Sequence, residues 1–173
     1  MIVEKESGMP EASGPVPRDA ALIGFLAERL RNAILATAPE ERPVTIRDFP
    51  RGSCGDAALL LGTLLSDCGL GEFMHVGGER GDKSDQTWCT HGWIKQDSLI
   101  VDITADQFAE IDTPIIVSRN SPWHATFLPT TITRPSKAHI DAVEGPSMPE
   151  LRRYYRRLVN ENNLFDLPKV PRR

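Results

Sequence analysis

The stretch of residues 55–68 constrains the fold of this chain more than any other segment. It is dominated by alanine and leucine and contains few β-branched residues. Alanine and leucine favour the helical conformation, and a segment that is apolar on every side is typical of a helix buried in a core. Pro50 and Gly52 impose a turn immediately before Cys54, and Gly69 is expected to end the helix. The sequence therefore predicts a buried helix that begins next to Cys54.

Patterns on either side of this segment predict the remaining elements. Apolar residues recur at three- and four-residue spacing from Asp19 to about Thr37, and a last helix is expected from Ser147 to about Glu161. Period-two alternation predicts strands, with a polar loop at 77–86. The predicted strands cover residues 73–76, 87–95, 99–104, 114–118 and 123–128. The predicted order is helices, then an antiparallel meander of strands, then a helix. This order indicates an α+β fold.

Length and composition limit the class of protein. The 173 residues are 40% apolar and 25% charged, which suits one globular domain over 18–173 after a flexible tail at 1–17 that is rich in Gly and Pro. A net charge of −4 gives no reason to expect a nucleic-acid partner. We expect no membrane contact, because apolar runs are too short to span a bilayer. Three cysteines without a Cys-x-x-Cys pair and the lack of a signal-peptide core favour a reducing, cytoplasmic location.

Three residues together carry a prediction of chemistry. Cys54 lies at a helix start, where the helix dipole and unpaired N–H groups favour a thiolate. His91 is on a predicted strand and Asp102 on the next strand of the same hairpin. An imidazole beside a thiol accepts its proton, and a carboxylate on the far ring nitrogen fixes the orientation of the ring. The sequence therefore predicts a Cys54–His91–Asp102 triad.

The residues around this triad resemble a known superfamily. GSCGDAALLL at 52–61, HGW at 91–93 and LIVDIT at 99–104 are similar to the core of the transglutaminase-like, papain-like cysteine hydrolases. The resemblance covers residues 50–108. It implies a papain-like fold, with N-terminal helices and the nucleophile at a helix start, packed on an antiparallel β-sheet. It also implies thioester chemistry carried by Cys54, His91 and Asp102.

The sequence departs from the family pattern at one point. Papain-like enzymes often use a glutamine shortly before the cysteine as an oxyanion donor, and none of the residues 49–53 is a glutamine. Backbone N–H groups at the helix start, notably that of Cys54, would have to serve instead. The oxyanion site is therefore the least defined part of the predicted centre.

The resemblance leads to an expected activity and substrate class. We expect hydrolysis of an amide bond in a peptide or protein, by a peptidase or a glutamine deamidase, with no cofactor and no metal. An amine acceptor in place of water would make the protein a transglutaminase or another acyltransferase. Trp93, Gln107 and Asp56 are the predicted substrate-binding residues. Core packing is the alternative for Trp93, and a carboxylate that interacts with the helix dipole is the alternative for Asp56.

Two other classes of protein and one other base stay open at this point. The chain is also consistent with a non-catalytic peptide-binding module that retains the fold. A metal protein that uses Cys89, His91 and Asp102 is the third class. His124 is the alternative base, although it would break the order of residues that the family shows.

Overall fold

The computed structural model describes residues 18–133 and 140–167, so the predicted tail at 1–17 lies outside the described residues. Within those ranges the chain has three α-helices and five β-strands, in an α+β arrangement. The helices are α1 (Arg18–Ala36), α2 (Cys54–Asp67) and α3 (Met148–Glu161). The strands are β1 (Met74–Arg80), β2 (Cys89–Gln96), β3 (Leu99–Asp102), β4 (Ile116–Ser118) and β5 (Leu128–Thr133).

The five strands form one antiparallel sheet in the order β4-β3-β2-β1-β5. Strands β1 to β4 are a meander, as the sequence predicted, and β5 returns to pair with the outer edge of β1. The central position of β2 follows from this order. None of the helices in the described ranges combines the length and the apolar character that crossing a bilayer requires.

The three helices share a core with the sheet. Aliphatic side chains of α1, α2 and α3 form most of this core. Ile94 of β2 and Val101 of β3 join it from the sheet. The residues that alternate with these two, Trp93 and Ile100, belong to a second, aromatic cluster with Val76. Because neighbouring residues of a strand point to opposite faces, the sheet has one helix-covered face and one aromatic face.

Strand β1 is longer than the sequence predicted. It continues through Gly77 and Gly78 to Arg80, where a loop was expected, and pairs with β2 over its whole length. A glycine pair is typical of a loop, but here it provides space. A Cβ atom on Gly78 would lie 2.9 Å from Cβ of Phe127 and 3.2 Å from the Trp93 ring. The glycine is in the strand because the aromatic side chains of Trp93 and Phe127 pack directly against its backbone.

The expected strand at 123–128 is also wrong in its position. The chain forms a 3-10 turn at His124–Thr126, and the strand begins only at Leu128. The turn is held locally, because the backbone N–H of Ala125 donates to the carbonyl of Ser121 at 3.1 Å and the hydroxyl of Thr126 donates to the carbonyl of Trp123 at 2.7 Å. Hydroxyl groups that bond to nearby backbone compete with strand pairing, and this effect is not visible in the alternation of apolar residues.

The hairpin of β2 and β3 determines which side chains meet. Its turn consists of Asp97 and Ser98, and its ladder ends at Ile94, before His91 is reached. The paired residues are Ile94 with Val101, Lys95 with Ile100 and Gln96 with Leu99. Continuing this register places Asp102 diagonally across from His91 on the aromatic face, a separation that long side chains bridge.

Candidate active site

Helix α2 begins at Cys54, so the thiol lies at the positive end of the helix. The first bond of the helix runs from the N–H of Ala57 to the carbonyl of Ser53 at 2.9 Å. The hydroxyl of Ser53 donates to the carbonyl of Arg51 and does not cap the helix. The backbone N–H groups of the first turn, including that of Cys54, therefore precede the first helical bond and are oriented toward an incoming anion.

A glycine on β2 lets the helix start approach the sheet. A Cβ atom on Gly92 would lie 3.5 Å from both the Cα and the nitrogen of Gly55, and 3.2 Å from Nε2 of His75. A Cβ atom there would be in ordinary contact with Gly55 and tight against the His75 ring, so a larger side chain would displace that ring or the start of α2. Because Gly92 follows His91 and Gly55 follows Cys54, the contact brings the two predicted catalytic residues together.

His91 and Asp102 form a buried hydrogen-bonded pair. Nε2 of His91 is 2.6 Å from Oδ2 of Asp102, and both side chains are almost inaccessible to solvent. The backbone N–H and the hydroxyl of Thr104 donate to Oδ1 of the same carboxylate at 2.8 and 3.0 Å. A carboxylate only accepts, so the ring carries its proton on Nε2 at this contact. The pair fixes the rotation of the imidazole and directs Nδ1 away from Asp102.

Cys54 is close enough to His91 to influence the protonation of its ring. Burial of the ring favours its neutral form, but hydrogen bonding with Asp102 and with Cys54, together with their charges, raises the pKa of His91 to about 9. Nδ1 is buried and makes no hydrogen bond of regular geometry to the described residues. The interaction with Cys54 is therefore not a hydrogen bond of regular geometry, in contrast to the bond with Asp102. Catalytic hydrogen bonds are often long or poorly aligned before substrate binds.

A second histidine binds the same carboxylate oxygen. Nε2 of His124 is 3.1 Å from Oδ2 of Asp102, and its Nδ1 is 2.6 Å from Oγ of Ser121. Burial would raise the pKa of Asp102, but hydrogen bonds from His124 and His91 outweigh it and hold this pKa well below its ordinary value. The carboxylate is thus charged at the centre of a cluster that we call the histidine–aspartate cluster: His91, Asp102 and His124.

Two histidines and a carboxylate are also a ligand set that transition metals accept. One ligand atom from each residue of the cluster lies within 4.8 Å of the others. Two ligands about 2.1 Å from a tetrahedral zinc ion are roughly 3.4 Å apart. The 2.6 Å between Nε2 of His91 and Oδ2 of Asp102 is shorter, and it is typical of a charge-assisted hydrogen bond. The geometry favours a hydrogen-bonded cluster. Cys89 of the predicted metal set is not part of it among the described residues.

Aromatic rings enclose His91. Their centroids lie 5.2 to 5.8 Å from that of His91, and we call them the aromatic shell: Trp93, Phe108, Trp123 and Phe127. Arg80 covers the outside of the shell, with its guanidinium 4.7 Å from the centroid of Phe127, and it pairs with Glu110. Removing water in this way strengthens the electrostatic interactions inside the shell.

Two of the three predicted substrate-binding residues, Trp93 and Gln107, are near the cluster but already have structural contacts. Trp93 is buried and stacks on His91, so it forms part of the wall of the site. The side-chain oxygen of Gln107 accepts from the N–H of Gly52, and its side-chain nitrogen donates to the carbonyl of Thr104. Gln107 thus connects the turn before α2 to the end of β3.

Asp56 lies on the helix-covered side of the sheet. Burial lowers the pKa of His75, and the charge of Asp56 acts in the opposite direction, so the two groups are neighbours there. One carboxylate oxygen of Asp56 is buried without a hydrogen bond to the described residues. The fold brings Cys54, His91, Asp102, Trp93 and Gln107 into one region and leaves Asp56 on its helix-facing side.

Sequence reasoning missed the contribution of Thr104 and placed His124 only as a rival of His91. Asp-x-Thr is a typical pattern for a carboxylate that bonds the backbone two residues later, so the bond between Asp102 and Thr104 could have been predicted from the sequence. His124 had none, because its contact with Asp102 depends on a long-range return of the chain. The three cysteines are free, and burial raises the pKa of Cys68.

Comparison with known proteins identifies no relative of this chain. No protein-family model, no curated protein and no solved structure matches the chain.

Proposed function

We propose that this chain is a thiol-dependent hydrolase that cleaves an amide bond through Cys54, His91 and Asp102. The Cys54 thiolate attacks the carbonyl carbon, and backbone N–H groups at the start of α2 stabilise the oxyanion. His91 donates its Nδ1 proton to the leaving amine as the C–N bond breaks. Water then attacks the thioester and gives one proton to His91, and the acid product leaves as the Cys54 thiolate is restored. Asp102 keeps the ring oriented throughout.

The observation that carries this proposal is the position of the His91 ring between two partners. One ring nitrogen is bound to a buried, charged carboxylate, and a thiol at a helix start is close enough to help raise the pKa of the same ring. Any buried imidazole needs hydrogen-bond partners, but a charged carboxylate together with a thiol at a helix start is the set of partners that thiol-dependent catalysis requires. A pKa of about 9 keeps the imidazolium form at neutral pH, which is the form that protonates a leaving amine.

Rates of alkylation by iodoacetamide at pH 7, measured for each cysteine by peptide mass spectrometry, test the proposal. We expect Cys54 to react at least ten times faster than Cys68 or Cys89, because the pair with His91 supplies thiolate. His91→Ala should remove this advantage. His75→Ala is the matched control, since it deletes an imidazole on the other face of the sheet and should leave the Cys54 rate within about twofold. Equal rates for the three thiols would refute the catalytic assignment and favour the non-catalytic binding module.

A second assay separates hydrolysis from acyl transfer. Carbobenzoxy-glutaminylglycine supplies a glutamine side chain, and its turnover releases ammonia in either reaction. In the presence of hydroxylamine, a transferase forms the hydroxamate, whereas a deamidase forms mainly the glutamate product. We expect the glutamate product if this peptide is accepted. Hydroxamate as the main product would assign the transferase activity, with the same triad.

A further inference from the structure

His124 binds the same oxygen of Asp102 as His91 does, at 3.1 Å compared with 2.6 Å, yet the proposed reaction uses only one imidazole. Its exposed fraction is 2%, equal to those of His91 and Asp102. Ser121 holds its outer nitrogen at 2.6 Å and also accepts from its backbone N–H at 3.4 Å. A polar ring this deeply buried is retained only when its hydrogen bonds are satisfied, and these bonds are.

The geometry points to His124 as a positioning residue: by donating to Oδ2 of Asp102 it holds that carboxylate for His91 and shares its negative charge. The inference rests on the proposed function for its catalytic meaning. The hydrogen bonds among His91, Asp102 and His124 themselves do not depend on a substrate.

Two donors on one oxygen weaken each other. Nε2 of His91 and Nε2 of His124 both bond Oδ2, while Oδ1 is occupied by Thr104. Each additional donor stabilises the carboxylate charge and reduces the attraction that remains for the next. His124 therefore limits how strongly Asp102 holds the proton of His91. A ring that must give a proton to a leaving amine benefits from this limit, because too strong a hold would slow the transfer.

Other charged groups around His91 act alongside this pair. Cys54 faces it from the start of α2, and Arg80 covers the aromatic shell from the end of β1. Hydrogen bonding and charge interactions connect Arg80 with Glu110 and with Cys89. His75 and Asp56 lie on the opposite face. None of these groups lies between His124 and Asp102, so replacement of His124 changes His91 through the carboxylate.

Titration of the His91 ring by NMR in the full chain tests the inference. In His124→Phe the ring fits the aromatic surroundings but donates nothing, so the pKa of His91 should rise by about one pH unit. His124→Gln is the conservative variant, because its amide N–H can reach Asp102, and it should return the His91 titration to within about 0.3 units of the wild type. An unchanged or lowered pKa in His124→Phe, or equal values in the Phe and Gln variants, would overturn the inference.

A milder variant covers the case in which His124→Phe does not fold. Ser121→Ala removes the bond that orients His124 and leaves the ring in place, so a smaller rise of the His91 pKa is expected. No rise in that variant would count against the inference. The test is separate from that of the proposed function, because equal alkylation of the three cysteines would refute catalysis while the titration of His91 could still show the effect of His124.

Discussion

The two faces of the sheet are built from different kinds of contact. On the helix-covered face, Ile94 and Val101 pack with fully buried leucines of α2 such as Leu60. On the aromatic face, the same two strands carry His91 and Asp102 inside the aromatic shell. One pair of adjacent strands thus supplies an aliphatic core on one side and a charged centre on the other, since alternate residues point to opposite faces.

This difference predicts two kinds of response to substitution. Aliphatic packing has no direction, so a change there alters the free energy of unfolding and leaves the chemistry of the opposite face in place. The histidine–aspartate cluster is directional, because each N–H needs an acceptor at a particular point. Changes there should alter stability and thiol reactivity together.

The largest effect is expected for Asp102→Ala. Two buried ring N–H groups would lose their acceptor, which costs about 3–5 kcal/mol of unfolding free energy when a buried charged partner is removed. The alkylation rate of Cys54 should fall in the same variant, provided that the chain still folds. Urea denaturation and the cysteine assay measure the two quantities. Asp112→Ala, at an exposed carboxylate, is the control. It should change the free energy of unfolding by less than about 0.5 kcal/mol and the Cys54 alkylation rate by less than about twofold.

Leu60→Ala should separate the two faces. Leu60 is fully buried in the helix-side core, and a cavity of this kind costs about 2–4 kcal/mol. We expect the ratio of the Cys54 alkylation rate to that of Cys89 to stay within twofold of the wild type in the folded variant. A change in that ratio as large as the one caused by His91→Ala would contradict the independence of the faces. Leu35→Ala, at a half-exposed position of α1, is the matched control with little loss of stability.

The free energy of unfolding should also depend on pH, because His91 on the aromatic face titrates differently in the folded chain. The pKa of His91 is raised to about 9 in the folded chain, above its ordinary value of 6.5. The stability that this shift contributes is complete below about pH 6.5 and is lost as the pH rises to about 9, roughly 3 kcal/mol in total. Urea midpoints from pH 6 to 10 measure it. In His91→Gln this part of the pH dependence should disappear, and its persistence would assign the loss to other groups.

The smallest effect concerns the contact that joins the two faces. Gly92→Val would push its branched side chain against the start of α2, because Gly55 and His75 already lie within 3.5 Å of the point that its Cβ atom would occupy. We expect a loss of about 1–2 kcal/mol and slower alkylation of Cys54, because the thiol moves from His91. Gly55→Ala is the control: nothing lies within 4 Å of its Cβ position, so stability should hold or rise slightly. A rapidly alkylated Cys54 in Gly92→Val would refute the steric role of Gly92.

Local signals explain the parts of the molecule that could be predicted. The turn and the alanine–leucine run place the start of a helix at Cys54, and alternation places His91 and Asp102 on adjacent strands. The extension of β1 through Gly78 could not be predicted, because glycine has low strand propensity and its reason is a ring from a distant segment. His124 was equally out of reach, since its bond to Asp102 joins residues 22 positions apart.

The short turn between β2 and β3 has a consequence for how the chain tolerates insertions. Asp97 and Ser98 alone set the register of this hairpin, and a shift of one residue would turn Asp102 toward the helices. One extra residue in this turn should therefore separate the carboxylate from both imidazoles. The loop of residues 81–88 joins β1 to β2 at the other end and has exposed residues at its centre. Length variation among descendants of this sequence should accumulate in that loop and be absent from the turn.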